Sequence, residues 1–327
     1  MYFVLTTSSI WQLCHESFAD QPWRDSPRLE IPDGEQHKTL ATVEQIWHFL
    51  FAHHATRDDI LVCVGGGVIC DLGGFAASTY KRGMPHINVP TTLLAMVDAA
   101  SGGKTGFDYA GVKNAIGTYA PALQTLILPS LITSLPPREL LSGYGEMLKH
   151  ALLDTPDHWQ QLLQLDLETE AGVQALMSLI ERSRALKNRI VQIDPREQGL
   201  RRALNLGHTV GHAFESLALH RGEPIPHGYA VAWGLVVEAV LSKMIKSLDS
   251  TTLYELADYI YRHYGVFNIT CDDYDALLNY MRHDKKSEHG EYNFTLLAAP
   301  GEIFTGCVVD EESVKAALDI YRDLMHI

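Results

Sequence analysis

The stretch Asn205-Leu206-Gly207-His208-Thr209-Val210-Gly211-His212 places two imidazoles four residues apart, and a third follows in Pro226-His227-Gly228-Tyr229. On a helix His208 and His212 project from one face about a turn apart, which is a spacing suited to holding a metal ion. Sixteen histidines in 327 residues also produce pairs by chance. Spacing alone therefore leaves a metal site and ordinary surface or core histidines about equally open.

Two other stretches carry chemical potential. The apolar run 59–64 enters Gly65-Gly66-Gly67, and a glycine triplet that closes a buried strand and opens a helix lets backbone N–H groups approach a pyrophosphate. The triplet is not GxGxxG, and a tight strand-to-helix turn explains it too, but Asp71 just beyond adds to the nucleotide reading. Residues 89–104 and 111–114 then bring hydroxyls, glycines, Asp98, Lys104, Lys113 and Asn114 into one short region. In a chain with net charge -14, lysines gathered among glycines point to an anion-binding loop.

The elements that must position these residues follow from periodicity. Strands are expected over 2–6, 28–31, 59–64, 86–89 and 125–128, with helices from Ser9, over 39–54 and over 68–80; Ser8 or Ser9 reads as the first N-cap. Residues 90–118 read as a loop region. From Pro136 the periods become helical: 138–153, 168–194 with a break, a helix carrying His208 and His212, 227–248 and 253–264. A small hairpin (293–297 with 301–304) and a helix over 311–325 close the chain. This predicts an α/β N-terminal nucleotide-binding domain with a mainly parallel sheet, residues 1–132, and a mainly α-helical domain for metal and substrate, residues 133–327.

Composition narrows the function classes. An apolar fraction of 46% and a charged fraction of 20% are those of a globular protein, and 26 basic against 40 acidic residues argue against nucleic-acid or anionic-membrane partners. Five scattered cysteines without a CxxC fit reduced thiols, and the N-terminus lacks the features of a targeting segment, so the expectation is a soluble cytoplasmic protein.

Seven segments in fixed order go further: Gly65-Gly66-Gly67-Val68-Ile69-Cys70-Asp71-Leu72, Tyr80-Lys81-Arg82-Gly83, Pro90-Thr91-Thr92-Leu93-Leu94, Ser101-Gly102-Gly103-Lys104, Gly143-Tyr144-Gly145-Glu146-Met147-Leu148-Lys149, Gly207 to His212, and Asp284-Lys285-Lys286. Together they make nearly the whole chain resemble the 3-dehydroquinate synthase family (dehydroquinate synthase-like fold). The resemblance implies a phosphate-eliminating lyase of the shikimate pathway. Such an enzyme converts 3-deoxy-D-arabino-heptulosonate 7-phosphate to 3-dehydroquinate by transient NAD-dependent oxidation, β-elimination, re-reduction and aldol closure.

The same resemblance assigns roles. Glu146, His208 and His227 become ligands of a catalytic Zn²⁺ or Co²⁺, leaving positions open to substrate hydroxyls, and His212 turns from ligand to substrate-facing. NAD is placed with Glu35 and Lys38 near the adenosine ribose, Gly66 and Gly67 at the pyrophosphate, and Asp71, Thr91, Thr92, Asp98, Lys104 and Lys113 around it. Lys104, Asn114, Asn205, His212 and Lys285 or Lys286 fall near the substrate phosphate, Lys187 and Arg201 at its carboxylate, and Lys149 beside the reacting hydroxyls. A homodimer is implied, with Arg82 reaching the neighbouring active site.

Three departures bear on detail: Tyr229 stands where many members have Glu, the extra N-terminal residues are absent, and Thr7-Ser8-Ser9 replaces a more usual Asp or Asn near the adenosine. The rival readings are a sister sugar-phosphate cyclase of the inosose or valiolone synthase type, a metal-dependent alcohol dehydrogenase and a non-catalytic nucleotide-binding module. Lys187 and Arg201 as carboxylate partners disfavour the first, and the phosphate-binding lysines the second. The full ligand set disfavours the third.

Overall fold

The computed structural model describes residues 1–110, 112–283 and 292–327. The chain divides into two compact units, one of residues 1–140 with 177–184 and one of residues 141–176 with 185–327.

The first unit opens with β1 (Tyr2–Thr7), α1 (Ser8–Cys14), β2 (Arg28–Ile31), α2 (Leu40–Ala52), β3 (Ile60–Gly65), α3 (Gly67–Thr79) and β4 (His86–Pro90). Thr7, not Ser8 or Ser9, caps α1, because the helix begins one residue earlier than its apolar pattern suggests; the Thr7 hydroxyl accepts the N–H of Ile10. After β4 come the hairpin β5 (Lys104–Tyr109) and β6 (Val112–Tyr119), then a two-residue β7 (Gln124–Thr125). The sheet runs β2-β1-β3-β4-β7, every pair parallel. Phe3, Val4 and Leu5 of β1 and Leu61 to Val64 of β3 are fully buried, as strands covered on both faces require. The chain leaves β1 toward β2 on one side and reaches β3 on the other, so the order reverses between β1 and β3. That reversal opens a crevice at the carboxyl ends of the strands.

The hairpin replaces the loop expected over 90–118. Phe107 anchors it by packing edge-on to Phe75 of α3 with ring centroids 5.1 Å apart, and Thr105 turns inward beside it. Two glycines, Gly106 in β5 and Gly117 in β6, interrupt the alternation that would have marked these strands.

The second unit is mainly helical. It takes most of α4 (Pro137–Asp154), then α5 (Pro156–Leu163), parts of α6 (Glu170–Ile193), α7 (His208–His220), α8 (His227–Lys246), α9 (Ser250–Tyr264) and α10 (Tyr274–His283). The antiparallel pair β8 (Tyr292–Ala299) and β9 (Glu302–Val309) and α11 (Glu311–Leu324) complete it. α6 runs unbroken through the expected interruption, capped by Thr169 at its start. α8 is the one helix among the described residues long and apolar enough to cross a membrane, and 78% of its apolar window is buried inside the protein. Its hydropathy is that of a core helix.

Candidate active site

In the second unit three helices deliver one lone-pair cluster. Glu146 lies in α4, His208 is the first residue of α7 and His227 the first of α8. The Nε2 atoms of His208 and His227 stand 3.3 and 3.4 Å from Glu146 Oε1. That oxygen is buried and accepts no hydrogen bond from the described residues, while Oε2 takes the ammonium of buried Lys149. A buried carboxylate oxygen facing two imidazole nitrogens is costly unless a proton or a metal ion sits among them. One carboxylate oxygen and two imidazoles suit Zn²⁺ or Co²⁺ and leave coordination positions open.

Partners on the far side of each ring set the tautomers. His208 Nδ1 lies 3.0 Å from the carbonyl oxygen of Leu206, an atom that can only accept, so Nδ1 carries the proton and Nε2 the lone pair. His227 Nδ1 meets Glu215 Oε2 at 3.3 Å. Such partners orient metal-binding imidazoles and raise their basicity.

Close approach of α4 to α8 rests on two glycines beside the ligands. A Cβ on Gly145 would lie 2.3 Å from the Gly228 carbonyl oxygen, and one on Gly228 1.7 Å from the Ser142 carbonyl oxygen. Backbone-to-backbone contact here is what puts Glu146 within reach of His227.

Burial opposes ionisation of Glu146, but Lys149 and then His208 outweigh it and hold the carboxyl well below the usual range. For His227 burial disfavours charge, yet Glu215 and Glu146 push its pKa up to about 10. Without metal, the ring therefore carries a proton on Nε2 below that pH, and a cation must displace it. Glu146 enters already ionised. Metal binding at neutral pH is expected to release about one proton, with affinity rising about tenfold per pH unit until the ring loses its proton unaided. Calorimetry in buffers of different ionisation enthalpy reads the proton count; pH-independent affinity between 6 and 8 would sink the account.

His212 sits on the same face of α7, its ring 5.4 Å from that of His208 and 6.0 Å from that of His227. It also offers a nitrogen to a second donor group with Glu215 and His227. Further along the same unit, Lys187 and Arg201 are buried cations, and the carboxylate of Asp194 accepts the N–H groups of Gln198, Gly199 and Arg201, fixing the turn that carries Arg201. Asn205 donates its side-chain amide to Glu197 Oε1 at 3.0 Å. Lys285 and Lys286 lie outside the described residues.

In the first unit the glycine turn closes β3 at the reversal point. A Cβ on Gly66 would come to 3.3 Å from Thr92 Cγ2, and one on Gly67 to 3.3 Å from Ala99 Cβ, so glycine keeps this cradle open. Gly66 caps α3 without a side-chain bond, which leaves helix N–H groups for an anion. Lys38 is buried and donates to Asp71 Oδ2 at 2.7 Å and Asn114 Oδ1 at 2.6 Å, with Glu35 at 3.8 Å. Burial acts against its charge, but Asp71 and Glu35 prevail and raise its pKa. The structure thus gathers Glu35, Lys38, Asp71 and Asn114 at one place, and puts Asn114 among the expected cofactor residues. Asp98 sits in one wide helical turn, Ala95–Ala99, closed by an N–H of Ala100 to the carbonyl of Ala95. Lys104 begins β5 and Lys113 lies in β6, both exposed.

Glu215 and Glu197 escaped sequence reasoning. Glu215 follows His208 by seven residues and His212 by three, so helical spacing carried a signal for it; nothing local marked Glu197.

A doubly covered parallel sheet with a glycine cradle at its reversal point, accompanied by a helical unit bearing a carboxylate–imidazole cluster, defines a nucleotide- and metal-handling enzyme. Residues 28–142 match the model of the 3-dehydroquinate synthase N-terminal family and residues 143–287 that of its C-terminal counterpart. The chain belongs to the 3-dehydroquinate synthase family and is a carbon–oxygen lyase of that activity. It is 41% identical to the 3-dehydroquinate synthase of Parabacteroides distasonis, an alignment covering 98% of this chain and 91% of that protein. Its structure is similar to 2-epi-5-epi-valiolone synthase of Streptomyces hygroscopicus with NAD⁺ and Zn²⁺ bound (TM-score 0.83, 25% identity, 98% of this chain and 91% of that one). The likeness to 2-deoxy-scyllo-inosose synthase complexed with carbaglucose-6-phosphate, NAD⁺ and Co²⁺ is one of fold (TM-score 0.82, 24% identity, 97% and 89% covered).

Proposed function

We propose that the chain carries out the family reaction on 3-deoxy-D-arabino-heptulosonate 7-phosphate with NAD held by the domain of residues 1–132 and a divalent ion held by Glu146, His208 and His227 of the domain 133–327. The observation that carries this reading is the buried Oε1 of Glu146, which accepts no hydrogen bond from the described residues and lies between two imidazole nitrogens. The phosphate leaves from a carbon whose neighbour has no acidic proton, so an adjacent alcohol must first become a ketone. When bound, NAD supplies a reversible hydride acceptor for that alcohol and the metal a Lewis acid at its oxygen.

The chain's residues do the rest. Gly66 and Gly67 give a pyrophosphate access to the N-terminus of α3. Lys38, anchored by Asp71, holds positive charge beside Glu35 on the cofactor side, and Thr91 and Thr92 after β4, Asp98 in the turn Ala95–Ala99 and Lys113 in β6 are assigned to the same cofactor. Lys149, already hydrogen-bonded to Glu146, can hold or return a hydroxyl proton, and His212 supplies a second exchangeable proton on the same helix face as His208. Lys187 and Arg201, buried on the unit that carries the metal ligands, suit a carboxylated substrate, and this favours the heptulosonate over the uncarboxylated sugars of the sister cyclases. Lys104, Asn114, Asn205 and Lys285 or Lys286 are assigned to the phosphate.

Purified protein with NAD⁺, Zn²⁺ and the heptulosonate phosphate should release phosphate and form 3-dehydroquinate without net NADH. The same preparation acting on a hexose phosphate but not on the heptulosonate would transfer the assignment to a sister cyclase, and accumulation of NADH to an alcohol dehydrogenase.

A cytoplasmic homodimer in which Arg82 serves the neighbouring site completes the proposal. Arg82 is exposed at φ +68 beside Lys81 at φ +48, a backbone that holds its side chain out at a sharp turn. Mixing Arg82→Ala with His208→Ala chains, each inactive alone, should restore about a quarter of wild-type activity, since half the dimers are mixed and each has one intact site. No restoration would place Arg82 in its own subunit's chemistry.

A further inference from the structure

The peptide joining Leu206 to Gly207 is held at both ends. Its carbonyl oxygen takes the Nδ1 proton of His208 at 3.0 Å, and its N–H donates to Glu238 Oε2 at 2.6 Å. Glu238, in the middle of α8, is fully buried, and its other oxygen accepts the N–H of Val210 at 3.3 Å. Gly207 caps α7 at φ +77 and has no side-chain oxygen, so Glu238 supplies from the neighbouring helix the acceptors that the first turn of α7 needs. It can do so because the helices touch backbone to backbone: a Cβ on Gly234 would lie 2.1 Å from the Gly207 oxygen and 2.8 Å from the Gly211 nitrogen. Ser242, one turn further along α8, donates to the Glu238 carbonyl and accepts the N–H of Leu297, tying this part of α8 to β8.

A hydroxyl cap offers the helix end one acceptor, whereas Glu238 turns both carboxyl oxygens to its N–H groups. A carboxyl oxygen held 2.6 Å from the N–H side of a peptide polarises the amide and makes its carbonyl a stronger acceptor. That carbonyl sets the tautomer of His208.

We propose that Glu238 is a positioning residue of the metal centre, acting on His208 through the Leu206–Gly207 peptide. It fixes the peptide so that Nε2 of His208 faces Glu146, and it raises the donor strength of that nitrogen as a carboxylate bonded directly to a ligand imidazole does. Glu215 serves His227 directly; Glu238 serves His208 at one peptide's remove. The proposal rests on the reading that Glu146, His208 and His227 hold a divalent ion.

The test uses the full chain and Co²⁺ as probe, read by visible absorption and by competition with a chelator. Glu238→Gln should bind Co²⁺ about 10- to 100-fold more weakly, with an altered absorption band. Ser242→Ala, which loosens the same buried layer, should lower thermal stability and leave Co²⁺ affinity unchanged. Wild-type affinity and spectrum in Glu238→Gln would overturn the proposal, as would an equal loss in Ser242→Ala. Should Glu238→Gln not fold, the wild-type chain gives a second reading: the amide resonance of Gly207 is expected to shift on saturation with Zn²⁺, and one that stays fixed overturns the relay. Failure of the wild-type chain to take up Co²⁺ at all removes the metal reading itself, an outcome separate from an intact site indifferent to Glu238.

Discussion

His208→Ala is expected to purify without bound metal and to lose turnover by about 10³-fold or more, the scale of several kcal/mol of lost Lewis-acid stabilisation. The variant leaves Glu146 Oε1 facing His227 alone, and a carboxylate with one imidazole is a poor site for Zn²⁺. His212→Ala should behave differently. It leaves the Glu146, His208 and His227 donors in place and should keep the metal, while turnover falls by about 10²-fold or more, as loss of an acid–base group does. Metal analysis of the two purified variants, set beside their rates of phosphate release, separates the roles. Equal metal loss in both would show that His212 is a ligand and that Glu215 and His227 share it.

Gly228→Ala should be as damaging without touching a donor atom. The new methyl would fall 1.7 Å from the Ser142 carbonyl oxygen and 2.5 Å from its carbon, both backbone, so neither can swing aside. Relief requires α8 to move from α4, at a cost of about 3 kcal/mol or more in packing. Because His227 precedes Gly228 and Gly145 precedes Glu146, the same movement pulls the ligand pair apart. A large fall in thermal stability accompanied by weaker Co²⁺ binding is the expected result; a variant with wild-type melting and metal content would refute the close-packing account.

These two substitutions mark where sequence reading stops. The strand periods of β1 and β3 and the helical periods of α7 and α8 were legible because a buried strand or an amphipathic helix repeats its solvent pattern within a few residues. The hairpin of β5 and β6 was not, since its glycines break the alternation and its stability comes from Phe107 meeting Phe75 of another element. In the site, the types of the residues were readable and their division of labour was not. Helical spacing placed His208 with His212, and only the ordered resemblance paired it with Glu146 and His227.

The sequence by itself determined the local elements, the glycine cradle before α3, the family and the identity of the ionisable groups, because each depends on nearby residues or on motifs in order. The tertiary structure decided which nitrogen of each histidine is free, which oxygen of Glu146 is left to a cation and which carboxylates stand behind His208 and His227. Those choices are made by contacts between residues from two to more than eighty positions apart, set by how closely α4, α7 and α8 pack. The closeness depends on shape at glycine contacts, and a linear pattern of residue types does not encode shape.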